Sequence, residues 1–457
     1  MTIPTNAAAP NPLFDESEGH LRRALGLPSL VLFGLVYMVP LTVFTTYGIV
    51  TEETGGRVPL AYAVTLIAMV FTAWSYAKMS QAYPVAGSAY TYAQKSFGAP
   101  VGFLSGWSLL LDYLFLPMIN YLVIGIYLDA AFPNIPAWVF VLLAILGVTA
   151  LNLIGISSVA RANFVIIAVQ TVFIGTFLVL SVVKISGNDN VSLMAPVTGD
   201  GSATGLGVIF AGSAVLCLSF LGFDAVSTLS EEARAPERNV PRAILTATIL
   251  SGLIFILLSY ISQLVFPSNE FTDVDSGALD VMRSAGGQFL DTFFTAAYVA
   301  GCIGSALTSQ AAVSRILYAM GRDGILPKKV FGHVSVKFST PTWAILVVSA
   351  VSMLALLIDL SVLASLISFG ALAAFSVVNL SVIKHYFFDE QRRSGMDVVW
   401  FLVLPLTGFI LTAWLWTSLS GMSLVIGLSW LAIGFCWLLA VTRGFRRPTP
   451  TLEIEGH

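Results

Sequence analysis

Apolar runs of about 20 residues recur along the chain from Ser29 to Arg443, separated by short polar segments. That is the length an α-helix needs to cross roughly 30 Å of hydrocarbon. A membrane barrel would instead alternate apolar and polar positions over short strands. The runs predict about twelve helices, near 29–50, 58–80, 101–128, 136–156, 161–184, 206–233, 241–266, 288–319, 342–358, 361–385, 398–418 and 421–443. The intervening segments read as short loops, with two longer ones: a Gly/Asn/Asp-rich stretch at 185–205 and a basic stretch at 320–341. The expected fold class is an all-α polytopic membrane protein. One transmembrane domain over 25–446 is flanked by tails at 1–24 and 447–457. The first tail lacks a basic stretch ahead of an apolar core. It reads as a short disordered tail, not a cleaved signal peptide, with the first span as an uncleaved anchor.

Two of these helices are interrupted. The first span reads SLVLFGLVYMVPLTVFTTYGIV, with Pro40 at its middle and Thr42, Thr45 and Thr46 after it. A mid-helix proline removes one backbone hydrogen bond and clashes with the turn before it. In lipid the freed carbonyls need a partner or a water-filled cavity. Alone, this fits an ordinary proline kink as well as a true break. The sixth span runs into FLGFDAVSTLSEEARAPERNVPRA, where Gly222 and Asp224 interrupt it and Ser227, Thr228 and Ser230 follow. Alone, that fits a helix ending near Phe223 as well as one broken so that Asp224 faces a ligand. Together the breaks carry more. They fall in the first helix of spans 1–5 and the first of spans 6–10. Five is odd, so the two units, about 29–184 and 206–385, cross the membrane in opposite senses, leaving two extra helices over about 398–443. Interrupted helices at matching positions of inverted halves point to a transporter's central site.

Composition sharpens the class. Charged residues are 10% of the chain and hydrophobic residues 57%, against roughly 25% charged in a soluble protein. With the N-terminus inside, nineteen of the 22 Lys and Arg residues fall on the inner side, and the outer side keeps Arg57, Lys184 and Arg283. Both termini are therefore expected in the cytoplasm. The net charge of −3 gives no reason to expect nucleic acid as a partner. Cys217, Cys302 and Cys436 lie in apolar segments and read as packing residues, while His20, His333, His385 and His457 fall in tails or loops. No metal-ligand spacing, Ser-His-Asp arrangement or cofactor motif is present, so an enzyme is not expected. A voltage sensor would need an Arg-rich span.

The wording of several segments goes beyond pattern. YAKMSQAYPVAGSAYTYAQKSFGAPVGFLSGWSLLLDY, GFDAVSTLSEEARAPERNVPRAI and AGCIGSALTSQAAVSRILYAMGRDGILPKKVFGHVSVKFSTP resemble the amino acid–polyamine–organocation (APC) superfamily, along nearly the whole chain. The resemblance implies a LeuT-like 5+5 inverted repeat with two further helices. YMVPLTVFTTYGIV, LLDYLFLPMIN, LSFLGFDAVSTLSEE and SFGALAAFSVVNLSV are similar to the bacterial putrescine-importing branch. That implies a small cationic substrate, putrescine or a related polyamine, driven by protons with no other cofactor.

Three departures from the wider family matter. Most members carry a Gly-Ser/Thr-Gly triplet in the first break, whose bare N–H groups cradle a carboxylate. The matching residues here are Pro40-Leu41-Thr42, and proline has no N–H to donate. A diamine has no carboxylate to hold. A lysine that takes part in proton coupling in some members is matched by Gln170. The substrate-stacking tryptophan of arginine–agmatine antiporters is matched by Ser309. The alternatives on the same fold are an amino acid permease and a diamine/amino acid exchanger.

A dication leaving water needs carboxylates or carbonyls to replace its hydration. Asp112 lies near mid-depth of the third span, on a helical stripe with Ser105, Ser108 and Asn120, and Tyr113 is beside it. Ionisable groups at that depth default to function, although a neutral, hydrogen-bonded packing role also fits. Asp224 matches the acid that senses substrate or protons in related carriers. Glu231 and Glu232 read either as a helix end paired with Arg234 and Arg238 or as a gate or proton relay. Tyr37, Phe44, Phe220 and Phe223 flank the breaks, and aromatic faces attract ammonium groups by roughly 0.5–2 kcal/mol. The expected substrate contacts are Tyr37, Pro40, Thr42, Asp112, Tyr113, Phe220, Phe223 and Asp224. Ser305, Thr308 and Ser309 could echo a sodium site of the fold.

Overall fold

A computed structural model describes residues 25–85, 88–154, 159–188, 191–201, 205–230, 232–322, 324–335 and 340–449. The expected N-terminal tail, Glu231 and nearly all of the C-terminal tail lie outside the described residues. The helices of the first half are α1 (Leu27–Tyr37), α2 (Tyr47–Thr54), α3 (Val58–Ala82), α4 (Ser88–Phe97), α5 (Ala99–Ala131), α6 (Ala137–Ile154) and α7 (Val159–Ser186). A short α8 (Ala195–Thr198) precedes the second half. There follow α9 (Leu206–Leu216), α10 (Pro236–Val265), α11 (Ala278–Arg322), α12 (Lys328–Phe331), α13 (Thr342–Ser352) and α14 (Leu360–Val382). α15 (Met396–Val398), α16 (Leu404–Thr417) and α17 (Gly421–Val441) complete the chain.

Among the described residues eleven spans are long and apolar enough to cross a membrane. The twelfth expected span, at 342–358, is shorter: α13 and a tight turn cover only Thr342–Leu356. Among the described residues no strand forms, and one isolated bridge ties Leu25 to Ala233. Exposure sorts the spans. The most apolar window of α5 is 78% buried, and that of α17 only 17%. α5, α9 and α14 therefore form the interior, and α17 lies at the periphery with exposed Met422, Val425, Leu428 and Ile433. Apolar exposure of this kind suits a hydrocarbon surround.

Two elements differ from the sequence expectation in an instructive way. The 80–101 segment, expected as a loop, contains α4. The eighth span, expected at 288–319, begins ten residues earlier, and Gly286 and Gly287 (φ 62°) kink it into a short leading helix and a long one. Each half thus has a short helix leading into its third span. The packing repeats likewise. α5 against α14 mirrors α11 against α7, α1 against α10 mirrors α9 against α3, and α5 against α6 mirrors α11 against α13. The largest interfaces, α3–α10 and α5–α11, join equivalent members of the two halves. This is the arrangement of two inverted five-helix units.

The ends of the spans divide by charge. Lys78, Lys95, Arg234, Arg238, Arg315, Arg322, Lys328 and Lys384 gather at one face, called here the basic face. Arg57, Lys184 and Arg283 lie at the other. There Arg283 bridges the glycine kink, its Nε 2.8 Å from buried Asp291.

Candidate functional site

The first interruption is a complete change of backbone. α1 ends at Tyr37, Val39 sits at φ 43°, and Pro40–Phe44 form a tight 3-10 turn before α2 resumes. A β-branched residue in the left-handed region is strained by about 1–3 kcal/mol, so the surroundings must hold it. Pro40 opens the 3-10 turn, where its missing N–H and fixed φ cost nothing. The freed carbonyls find partners: Thr42 Oγ1 donates to Met38 O at 3.2 Å, and Tyr127 from α5 donates to Phe44 O at 2.9 Å.

The second interruption begins earlier than the sequence suggested. α9 stops at Leu216 and a 3-10 turn covers Cys217–Phe220. Leu221 is extended, and Gly222 has φ 122°. A second 3-10 turn, Asp224–Leu229, follows. Here glycine is required twice over. Its φ is strained for any other residue, and a Cβ would stand 3.0 Å from Cγ and 3.1 Å from Cβ of Tyr37. The two breaks therefore touch at Tyr37 and Gly222. Ser227 and Ser230 hydroxyls turn back on the carbonyls of Asp224 and Ser227, each at 2.6 Å. Polar side chains thereby replace the helix ladder, as irregular backbone at membrane depth requires.

Asp224 is 7% exposed. Its carboxylate accepts from Gly222 N at 3.3 Å and from Ser88 Oγ, at the start of α4, at 3.5 Å. Asp112 is 8% exposed, on a turn of α5 where α14 comes close. Ser108 Oγ donates to Gly370 O at 3.2 Å, and a Cβ on Gly370 would lie 3.1 Å from Asp112 N. Asp112, Asp224, Tyr37 and Tyr113 lie close enough to feel one another's charge. Phe223 is fully buried in an aromatic wall with Tyr76 (5.5 Å) and Phe375 (5.0 Å), and Tyr92 packs on Tyr76 at 5.9 Å. The Tyr76 and Tyr92 hydroxyls approach Ser88 and Ser227, but neither completes a hydrogen bond.

Beside this cluster lies a cavity of about 490 Å³, bounded by α1, α5, α7, the second break and α11. Small-molecule sites run roughly 300–1,000 Å³. Its wall includes Tyr37, Val39, Thr42, Asn120, Gln170 and Ser305. It runs along α11 from exposed Arg315 to buried Tyr298, about 25 Å at 1.5 Å per residue. It therefore opens at the basic face. At its floor Tyr298 hydrogen bonds Thr45 across 253 residues of sequence. Beyond the floor Phe44, Tyr127, Phe173, Phe177 and Phe294 close in a buried aromatic plug with ring separations of 5.3–6.4 Å.

The structure brings Tyr37, Asp112, Tyr113 and Asp224 together, with Phe223 at the back, and places Thr42 in the cavity wall. Neither aspartate lines the cavity, whereas Tyr37 does and also lies near both of them. Pro40 is not part of the wall, and Val39 takes that place. Phe220 points away, packed on Phe255 (5.4 Å) and Tyr62 (6.5 Å). Glu232 lies at the basic face, where its carbonyl accepts from Leu25 N at 3.0 Å, pinning the start of α1 to the end of the second break. Ser309 and Thr308 donate to carbonyls of their own helix. Asn120 Nδ2 donates to Ser305 Oγ at 3.1 Å. Among the described residues no three His, Cys, Asp or Glu side chains are grouped to hold a metal ion. Sequence reasoning missed Tyr298, Tyr127, Tyr76 and Tyr92. Each is a tyrosine within an apolar run, and that polar tip in a lipid-facing pattern was the available signal.

The chain matches known carriers throughout. The family profile described as amino acid permease covers residues 29–455. The chain is 43% identical over 443 residues to the low-affinity putrescine importer PlaP of Escherichia coli (strain K12), spanning 96% of this chain and 97% of that one. It is 26% identical over 446 residues to the branched-chain amino acid permease BcaP of Bacillus subtilis (strain 168), spanning 91% and 92%. It is 28% identical over 394 residues to cationic amino acid transporter 4 of Homo sapiens, spanning 81% and 61%. Two inverted halves, paired helix breaks and a full-length match lead to one conclusion: the chain is a multi-pass membrane protein of the amino acid permease family, within the APC superfamily.

Proposed function

We propose that this protein is a secondary importer of putrescine or a closely related polyamine, coupled to protons and working by alternating access around the two breaks. The observation that carries the reading is the pair of buried carboxylates, Asp112 and Asp224, beside the point where the breaks touch. Among the described residues no Lys or Arg is paired with either carboxylate, and two buried carboxylates within reach of each other's charge are costly to ionise together. A dication or a proton relieves that cost, and both are what such a cycle would exchange. The Pro40-Leu41-Thr42 turn supports the same reading, because it lacks the N–H cradle that an α-carboxylate would need.

In this reading the basic face and both termini are cytoplasmic, and the protein sits in the bacterial inner membrane. The cavity is then the inward-open half of the cycle, with the aromatic plug as the closed outer side. Tyr37, in the cavity wall and near both aspartates, swings as substrate passes. Glu232 belongs to the inner gate region. The competing reading, an amino acid permease, is favoured by the resemblance to BcaP; an exchanger would require a counter-substrate inside.

Labelled uptake into proteoliposomes separates these. With an inside-alkaline gradient, putrescine should enter faster than alanine, arginine or ornithine, and Asp224→Asn should abolish the gradient-driven component. Uptake of a neutral amino acid, with putrescine neither entering nor competing, would sink the diamine reading and leave the fold intact.

A further inference from the structure

A cationic arrangement lies at the basic face, outside the residues that line the cavity. It is built where α3 ends, where α14 passes into a π-helical turn (Ile383–Asp389), and where a second π-helical turn (Val399–Val403) leads into α16. A π turn carries an extra residue and re-aims side chains, often at functional positions. Here the two turns bring Tyr386 and Phe401 into a stack 4.4 Å apart at 17°.

Around that stack the cations converge. Lys78 Nζ lies 4.6 Å from the ring centre of Trp74 and 5.9 Å from that of Phe401. The Arg392 guanidinium lies 5.2 Å from Phe401 and 5.8 Å from Tyr386. The frame is fixed by backbone bonds: Tyr386 hydroxyl to Lys78 O at 3.0 Å, Trp74 Nε1 to Trp400 O at 3.3 Å, and Arg392 N to Tyr386 O at 3.0 Å. Lys78 and Arg392 are close enough to repel. Among the described residues Lys78 meets no carboxylate; its one polar contact is Gln81 Oε1 at 3.3 Å. Glu390 reaches Arg392 Nε only at 3.7 Å and is shared with His385 Nε2 at 3.3 Å. Lys384 is taken by Asp389. Arg393 lies over Phe387 and exposed Phe388. Four cations thus face two carboxylates.

We infer that Lys78 and Arg392 form a niche for a phosphate group, and that its source is the headgroup of an anionic phospholipid. Of the two like charges in this aromatic frame, Lys78 has no carboxylate among the described residues and Arg392 has only the distant, shared Glu390. A phosphate diester supplies an anion to both: the guanidinium fork offers paired donors and the ammonium a point charge. Trp74 and Trp400, ring centres 5.0 Å apart, place the niche at the depth where aromatic belts meet headgroups. Apolar Phe388, exposed beside Arg393, is suited to contact the acyl chains below.

The niche is tested by melting the full-length protein in detergent while adding phosphatidylglycerol, phosphatidylcholine or inorganic phosphate. Phosphatidylglycerol should raise the melting temperature saturably, and Lys78→Gln and Arg392→Gln should each weaken its apparent affinity by about tenfold or more. Lys328→Gln/Lys329→Gln removes charge from the same face outside the niche and should leave the shift unchanged. Should either niche variant fold poorly, native mass spectrometry of retained lipid on the other gives the same comparison. An equal shift in the niche variants, or loss of the shift in the Lys328/Lys329 control, would overturn the site. An equal shift from inorganic phosphate would overturn the lipid as its source.

Discussion

Replacing Gly222 with alanine tests the contact on which the two breaks depend. The backbone there has φ 122°, and forcing a residue with a Cβ into that region costs about 1–3 kcal/mol. The new methyl would also meet Tyr37 at its Cβ (3.1 Å) and Cγ (3.0 Å). The Tyr37 Cβ sits at the root of the side chain, so a rotamer change cannot carry it clear, and overpacking adds about 1–3 kcal/mol. Even about 2 kcal/mol is roughly a 30-fold shift against the conformation in which Tyr37 rests on the second break. Gly222→Ala should therefore lower the melting temperature and slow putrescine uptake at least tenfold. Tyr37→Ala removes the contact but not the backbone strain. Across the double-mutant cycle, thermal stability should show a coupling between the two positions of about 0.5–3 kcal/mol. Wild-type melting and uptake for Gly222→Ala, or strict additivity in the cycle, would refute the proposed contact.

Other positions give independent checks. Tyr298→Phe removes the hydroxyl that bonds buried Thr45 at the cavity floor. An orphaned buried hydroxyl costs about 1–3 kcal/mol, so thermal unfolding should shift down, whereas Tyr260→Phe, whose exposed hydroxyl reaches Leu193 O, should have little effect. Asp275, in the loop before α11, has its carboxyl pushed above the usual range by burial and then by Asp273 and Asp359. A raised carboxyl favours the fold when protonated, and that contribution is lost as pH rises through the folded-state value. Asp275→Asn should therefore raise the melting temperature at neutral pH, with the gain vanishing below about pH 4; a loss of stability at neutral pH would contradict the sign. Arg283→Gln leaves buried Asp291 without its partner at the glycine kink and should lower the melting temperature; an unchanged value would show that the pair contributes nothing there.

The spans were legible because each apolar run is long enough to cross a membrane and little else explains it. The breaks were legible from Pro40, Gly222 and Asp224, and both lie within a few residues of where those residues put them. Their backbone was not. Nothing local says that the positive φ falls at Val39; the turn that follows it is tied to α5 and α11 by Tyr127 at Phe44 O and Tyr298 at Thr45. The packing of Phe220 was not legible either: its ring lies against Phe255 and Tyr62, a placement that follows from the 3-10 turn beginning at Cys217. Asp112 and Asp224 could be nominated separately, but their proximity is a tertiary fact that no local sequence carries. Helix α4 was missed because its sequence, SAYTYAQKSF, has polar and small residues with no long apolar run; it is held by burial of Tyr90 and Tyr92 against its neighbours.

The most direct test of the central claim, that Asp112 and Asp224 together hold a dication, is equilibrium binding of putrescine and of 1-aminobutane to the purified wild type, Asp112→Asn and Asp224→Asn. Removing one partner from a buried charge pair costs about 2–5 kcal/mol, so each variant should bind putrescine at least about 30-fold more weakly. The wild type should strongly prefer the diamine, and the variants should lose that preference. Unchanged putrescine affinity in both variants, or equal wild-type affinity for the monoamine, would contradict it.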